Sequence, residues 1–94
     1  MVDDLSFDWD AANVEHIARH GINPMEVEQL FANDPVDIDF LVLNGEDRWT
    51  SIGHTNALRF LVVVWTIRND AIRTVTARAA TRHERDAYIE TKER

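Results

Sequence analysis

Basic and titratable side chains crowd the carboxyl-terminal part of this sequence. The stretch ARAATRHERDAY, residues 77 to 88, brings Arg78, Arg82, His83 and Arg85 together in a chain whose formal net charge is -7. Nine of the ten Lys and Arg residues are arginines, and a guanidinium binds phosphate or carboxylate through a planar fork of N–H donors. The cluster predicts an anionic ligand; ion pairs with acids a few residues away are the alternative.

The distribution of charge divides the chain in two. Residues 1 to 47 contain twelve acids and one base, Arg19, whereas residues 48 to 94 contain eight arginines and Lys92 against five acids. The two halves therefore carry -11 and +4, which sum to -7. Such an asymmetry points to a charged partner for at least one half of the chain.

Two histidines, His16 and His20, lie four residues apart. The segment HIARH lacks the glutamate of a metal-binding HExxH helix, and no third residue follows at a spacing typical of metal ligands. We therefore predict no metal site. His20 suits proton transfer because an imidazole titrates near neutral pH. The alternative is that His20 closes the carboxyl end of a helix, where a positive charge is favourable.

The end of the chain combines a helix start with two further candidates for chemistry. Thr81 followed by Glu84 has the spacing of a capping box, which makes Glu84 either a structural cap or a catalytic acid. Tyr88 lies one turn later on the same face of this helix, so we expect it to pack on a sheet with its hydroxyl in water.

These side chains need elements to position them, and the sequence predicts two amino-terminal helices. The first runs from Asp10, a natural N-cap, to His20, and Gly21 stops it. The second begins at the segment NPME, in which Asn23 is the cap and proline takes the first helical position. Phe7 is expected in a short strand before the first helix.

The middle of the chain has the pattern of four antiparallel strands, at residues 36–43, 48–54, 59–67 and 71–79, with a tight turn at Asn44-Gly45. The third strand is apolar on both faces, which predicts a central position. Strict alternation predicts which residues of a strand lie on the same face. In the second strand they are Arg48, Thr50, Ile52 and His54. In the fourth strand they are Ile72, Thr74, Thr76 and Arg78. We predict an α+β sandwich in which helices cover one sheet face and leave the other open.

Composition narrows the class of protein. Ninety-four residues predict a single domain over 1–94. The absence of cysteine excludes disulfides, thiolate metal sites and cysteine nucleophiles. The acidic amino terminus has no export signal, and the longest apolar run, FLVVVW, is far shorter than the ~20 residues that span a bilayer. We expect a cytoplasmic protein with no membrane association.

Four segments in order resemble the BrnT family of toxins. They are FDWD at 7–10, RHGI at 19–22 followed by EVEQLFANDP, EDRW at 46–49 followed by IGH, and TARAATRHERDAY at 76–88. The resemblance spans nearly the whole chain. It implies a RelE-like fold, with two amino-terminal helices, a four-stranded antiparallel sheet and a carboxyl-terminal helix, and a place in a type II toxin-antitoxin system.

The same resemblance implies endoribonuclease activity with neither metal nor cofactor, an RNA substrate and a cognate BrnA-like antitoxin; a homodimer is left open. The alternative is a catalytically inactive binding module of the same fold, since an RNA-cleaving protein is usually basic. The acids of the first half would then contact a basic segment of the antitoxin. The expected catalytic residues are His20, Arg48, Arg78, Arg82, Glu84 and Tyr88. The expected RNA-binding residues are Arg19, Arg48, Arg78, Arg82 and Arg85.

Overall fold

The computed structural model describes residues 5–94. Three helices and four strands follow one another in the predicted order, so the α+β class is confirmed. The elements are α1 (Ala11–Ala18), α2 (Pro24–Ala32), β1 (Val36–Leu43), β2 (Glu46–His54), β3 (Phe60–Arg68), β4 (Ala71–Ala79) and α3 (Arg82–Lys92). The strands form one antiparallel sheet in the order β1-β2-β3-β4, and Phe7 adds an isolated parallel bridge to Ile72.

Each helix begins with a capping box, because a side-chain oxygen at the N-cap accepts a hydrogen bond from a backbone N–H that the helix leaves free. The predicted caps Asp10, Asn23 and Thr81 are all confirmed. Helix α1 ends at Ala18, two residues before its predicted end. The backbone tightens there into a turn that Gly21 completes with a φ of +72°, a left-handed conformation that glycine adopts at little cost.

Two tight turns set the register of the sheet. Asn44 and Gly45 have φ values of +53° and +78°, and Asn69 and Asp70 have φ values of +54° and +62°. Two successive residues with positive φ give the turn whose twist matches that of antiparallel strands. The first turn confirms the predicted hairpin, and β2 begins at Glu46, two residues earlier than predicted.

The two faces of the sheet are covered by different helices. On one face, which we call the α1–α2 face, Ile17 and Leu30 pack with Leu61 and Val63 in the main core. On the other, the α3 face, Tyr88 packs with Ile52 and Val62. The prediction that the helices cover one face only is therefore wrong for α3. The physical reason lies in β3, which is apolar on both faces and needs cover on both.

The prediction that Ile72, Thr74, Thr76 and Arg78 share one face is also wrong. Thr76 pairs with Val64 and Thr74 with the next residue, Trp65, so that Val75 forms a bulge. A bulge inserts one extra residue and reverses the alternation beyond it. Arg78 and Thr76 consequently lie on the α3 face, and Arg73, which pairs with Thr66, lies there as well.

Helix α3 covers one end of its face, beside Ile52 and Val62. At the other end, strands β2, β3 and β4 present Arg48, Arg68 and Arg73. Within residues 5–94, no helix is long and apolar enough to cross a membrane.

Candidate functional site

Arg78 and Glu84 join the last strand to the last helix through a two-pronged ion pair. Nη1 of Arg78 donates to Oε1 of Glu84, and Nη2 donates to Oε2, both at 2.8 Å. The backbone N–H of Thr81 donates to the same Oε1, also at 2.8 Å. These hydrogen bonds, that of Arg78 first, lower the pKa of Glu84 to about 2. Glu84 is therefore a carboxylate at neutral pH and holds Arg78 in place, while the Arg78 side chain stays 47 % exposed.

The two arginines of α3 are held loosely. The Arg82 side chain is 90 % exposed, and its nearest carboxylate, that of Asp86, is 3.9 Å away. Arg85 lies 3.8 Å from the same carboxylate and stacks over the ring of Phe60, with 5.7 Å between its guanidinium carbon and the ring centroid. Exposed pairs of this kind contribute little to stability, so both guanidinium groups are free to meet a ligand.

Tyr88 is an anchor of α3 on the sheet. It is only 5 % exposed, and its ring centroid lies 6.0 Å from that of Phe60 and 6.3 Å from that of His54, edge to face in both cases. The expectation that Tyr88 packs on the sheet is confirmed. This packing fixes the position of α3, and with it the position of Glu84.

Helix α1 runs along the outer edge of β4. The side-chain amide of Asn13 donates to the carbonyl of Thr74 at 3.3 Å, and one turn later Nε2 of His16 shares a hydrogen bond of 3.1 Å with Oγ1 of Thr76. The ring of His16 on α1 and the ring of His20, two residues beyond the end of α1, are neighbours with centroids 6.1 Å apart. His20 is exposed, and the direction of α1 carries it from Thr76 toward the Arg78 end of β4.

An open depression of about 260 Å³ lies on the α3 face, between α1 and strands β2 to β4. Arg48, Arg68, Arg73, His16 and Glu46 are among the residues that line it. Of the three arginines, Arg48 is among the residues expected from the sequence, whereas Arg68 and Arg73 are not. Strand alternation is the sequence pattern that could have placed them on the α3 face, but the bulge at Val75 interrupts this alternation in β4.

One carboxylate in the depression is shared by two guanidinium groups. Nη2 of Arg68 lies 2.8 Å from Oε2 of Glu46, and Nη2 of Arg48 lies 3.4 Å from Oε1. The pKa of Glu46 is lowered, chiefly by its hydrogen bond from Arg68 and then by the charges of both arginines. Within residues 5–94, Nε of Arg48 is buried and has no hydrogen-bond partner. Among these residues, Arg48 uses one long contact of the five N–H groups that a guanidinium offers.

Arg73 is more fully engaged. Its Nη1 lies 3.0 Å from Oδ2 of Asp10 and 3.5 Å from Oδ2 of Asp8. The hydrogen bond and charge of Asp10 raise the pKa of Arg73, and Arg73 in turn lowers the pKa of Asp10. Because Asp10 also caps α1, Arg73 ties the start of that helix to the sheet.

The structure separates the residues that the family resemblance implies as catalytic or RNA-binding. Arg78 pairs with Val62, which pairs with Ile52, and Arg48 lies four residues from Ile52 along β2. Four residues of strand span roughly 13 Å. Arg78, Arg82 and Arg85 lie at the α3 end of the sheet face, Arg48 lies at the other end, and His20 and Arg19 lie at the end of α1.

A metal site needs several ligands close together, and residues 5–94 contain no group of three or more His, Cys, Asp or Glu side chains placed to hold one.

Comparison with known proteins gives one family. The model of the ribonuclease toxin BrnT of type II toxin-antitoxin systems matches residues 9–84. The chain belongs to the BrnT family.

The BrnT match covers both ends of the sheet face. It includes His16, Arg48 and Arg78 and ends at Glu84, so Arg85 and Tyr88 lie just beyond it. No protein with a curated description matches the sequence. Membership of BrnT confirms the family that the sequence motifs indicate, and it makes this chain a member of a family of ribonuclease toxins that work with an antitoxin.

Proposed function

We propose that this chain is an endoribonuclease toxin that cleaves cytoplasmic RNA without a metal and is restrained by a small BrnA-like antitoxin. The observation that carries the proposal is the row of arginines on the α3 face. Strand β2 contributes Arg48, β3 contributes Arg68, and β4 contributes Arg73 and Arg78. An extended polyanion that crosses the strands would meet a guanidinium on each.

The reaction that fits such a surface is internal transesterification. The ribose 2′-hydroxyl attacks the adjacent phosphorus, the new O2′–P bond forms, and the P–O5′ bond breaks. One group accepts the proton of the 2′-hydroxyl, and another donates a proton to the departing 5′ oxygen. The products are a 2′,3′-cyclic phosphate and a free 5′-hydroxyl, and no oxidant or cofactor takes part.

Arginines would stabilise the charge that develops on the phosphate oxygens. Arg78 is the best placed of them, because Glu84 fixes its orientation while nearly half of its surface stays exposed. We assign phosphate binding to Arg48, Arg78 and Arg82, and contacts to the flanking backbone to Arg19 and Arg85.

The departing 5′ oxygen needs a proton donor, and we assign this role to the imidazole of His20. Glu84 supports the reaction through Arg78, since a carboxyl group with a pKa of about 2 holds no proton to donate at neutral pH. Tyr88 supports it by fixing α3.

The net negative charge is compatible with this function because the acids concentrate elsewhere. Residues 1 to 47 hold twelve of the seventeen acids, and much of that segment forms α1, α2 and β1. A basic segment of the antitoxin is the complementary partner for that region. The acidic surface would also keep non-specific RNA binding weak.

One observation favours the second candidate, an inactive binding module. Each arginine of the α3 face has a carboxylate within 4 Å, and for Arg78 the pairing is two-pronged. A surface whose cations are already neutralised binds RNA less strongly.

Incubation of the purified chain with RNA in the presence of EDTA separates the two candidates. We expect fragments that end in 2′,3′-cyclic phosphate. We expect Arg78→Ala to slow their formation by about 10²–10³, and Arg94→Ala, which removes an exposed arginine beyond α3, to leave it unchanged. Intact RNA after prolonged incubation with the unsubstituted chain would support the binding module.

A further inference from the structure

We infer that the depression on the α3 face binds an RNA backbone phosphate next to the one that Arg78 holds, and that His16, at the border of the depression, accepts the 2′-hydroxyl proton. The inference rests on the proposed function and deepens it. It adds Arg68 as a phosphate-binding residue and His16 as the partner of His20 in proton transfer.

The first support is the way in which Arg48 and Arg68 share Glu46. Each guanidinium offers five N–H donors, and each gives one of them to a different oxygen of the same carboxylate. A carboxylate bridging two guanidinium groups occupies the position that two phosphate oxygens would take. Glu46 thus marks an anion position, and it leaves most of the N–H groups of both arginines unused.

The second support is the unpartnered nitrogen of Arg48. Within the described residues, its Nε is buried without a hydrogen-bond partner. Arg48 lines the depression. Buried polar groups are nearly always satisfied, so an unsatisfied guanidinium nitrogen at this opening indicates a site that is completed by a ligand.

The third support is the position of His16. It is half-buried, lines the depression beside the three arginines, and is held through Nε2 by the hydroxyl of Thr76 at 3.1 Å. His20 does not line the depression but has its ring centroid 6.1 Å from that of His16. Two neighbouring imidazoles provide the two proton-transfer groups that the reaction needs.

The proton balance is complete with these two residues. Neutral His16 accepts the proton of the 2′-hydroxyl as the O2′–P bond forms. Protonated His20 gives its proton to the 5′ oxygen as the P–O5′ bond breaks. The pair then returns to its starting state by exchanging protons with water.

Binding is tested with a 2′-O-methyl RNA dodecamer of mixed sequence, which cannot undergo the reaction, by fluorescence anisotropy in low salt. We expect Arg68→Ala to weaken binding about fivefold to tenfold and Glu46→Gln to strengthen it, because the competing carboxylate charge is removed. Arg94→Ala removes an exposed arginine outside the depression and should change nothing. Affinities of the Arg68 and Glu46 variants equal to that of the unsubstituted chain would overturn the phosphate site.

The opposite signs of these effects separate ligand binding from folding. Arg68 is 48 % exposed and Glu46 lies directly after a turn, so both variants should fold, which circular dichroism verifies. If Glu46 were merely structural, its substitution would weaken binding or leave it unaltered, and that outcome would count against the inference.

The role of His16 is tested by cleavage. We expect His16→Asn to reduce the cleavage rate at least a hundredfold and to bind the 2′-O-methyl dodecamer with unchanged affinity, whereas Ala18→Ser, a substitution at an exposed position of α1, keeps full activity. If the unsubstituted chain cleaves RNA and His16→Asn cleaves it equally fast, the assignment of His16 is wrong. If the unsubstituted chain cleaves no RNA, the proposed function fails, and the binding experiment alone decides the phosphate site.

Discussion

Arg78 on β4 and Glu84 on α3 are joined by two parallel hydrogen bonds of 2.8 Å, and the same carboxylate caps the helix through the N–H of Thr81. One side chain thereby begins α3 and orients the arginine that we propose to hold the RNA phosphate. The proposed function therefore links stability and RNA cleavage at Glu84, and the two effects can be measured separately.

The ion pair makes stability depend on pH through Glu84. Its pKa falls from 4.5 to about 2 on folding. A group with a lowered pKa stabilises the folded state fully above its unfolded value and loses that contribution as the pH falls toward its folded value. We expect Glu84→Gln to lower the free energy of unfolding by about 1–2 kcal/mol at pH 7, after allowance for solvent screening, and to have little effect near pH 2. Urea unfolding at both pH values measures this; an equal loss at both would contradict it.

The role of Tyr88 can be divided between its ring and its hydroxyl. Because the ring is buried against Phe60 and Ile52, we expect Tyr88→Ala to destabilise the fold by about 3–5 kcal/mol. Tyr88→Phe keeps the ring and should retain both stability and RNA cleavage. Thermal unfolding and a cleavage assay on the two variants decide the matter. Loss of cleavage in a stable Tyr88→Phe protein would show that the hydroxyl takes part in the chemistry.

Gly53 reports on the packing of α2 against the sheet. A Cβ added there would lie 2.9 Å from Cγ of Leu30 and 3.2 Å from Cβ of Pro35. Leu30 is fully buried and has little room to move, so we expect Gly53→Ala to cost about 1–3 kcal/mol. Chemical denaturation measures the loss. Ala57→Gly in an exposed loop serves as the control, because Gly45 has a positive φ and a substitution there would be strained. An unchanged midpoint for Gly53→Ala would mean that α2 does not sit on this face.

RNA affinity should depend on salt through the arginines of the depression. Each phosphate contact releases condensed counterions, so removing one cationic side chain lowers the slope of log affinity against log salt concentration by about 1. We expect that change for Arg68→Ala and for Arg48→Ala. Anisotropy titrations from low to moderate salt measure the slopes. Identical slopes for the variants and the unsubstituted chain would place the RNA elsewhere.

Local features of this fold follow directly from the sequence. The caps at Asp10, Asn23 and Thr81 and the turn at Asn44-Gly45 depend on side chains within three or four residues, and all of them form where the sequence predicts. The hairpin in turn fixes the neighbours across β1 and β2 as far as Asp39, where the register shifts.

Features that depend on contacts between distant residues could not be predicted from the sequence. The bulge at Val75 is invisible to a reading based on alternation, and it moves Arg73 onto the face that carries Arg48. The placement of α3 on the second face depends on which side of the sheet remains uncovered after α1 and α2 pack. The ion pair of Arg73 with Asp10 joins residues 63 positions apart. This part of the candidate site could therefore not be predicted from the sequence alone.

The most direct test of RNA cleavage on the α3 face is a single-turnover cleavage rate in the presence of EDTA. It is measured for the unsubstituted chain and for Arg78→Ala. Arg94→Ala, which also removes one arginine, is the control. Removing one donor to a developing oxyanion costs about 10²–10³ in rate. We expect a loss of that size for Arg78→Ala alone. Equal rates for all three proteins, or no cleavage by the unsubstituted chain, would contradict the assignment.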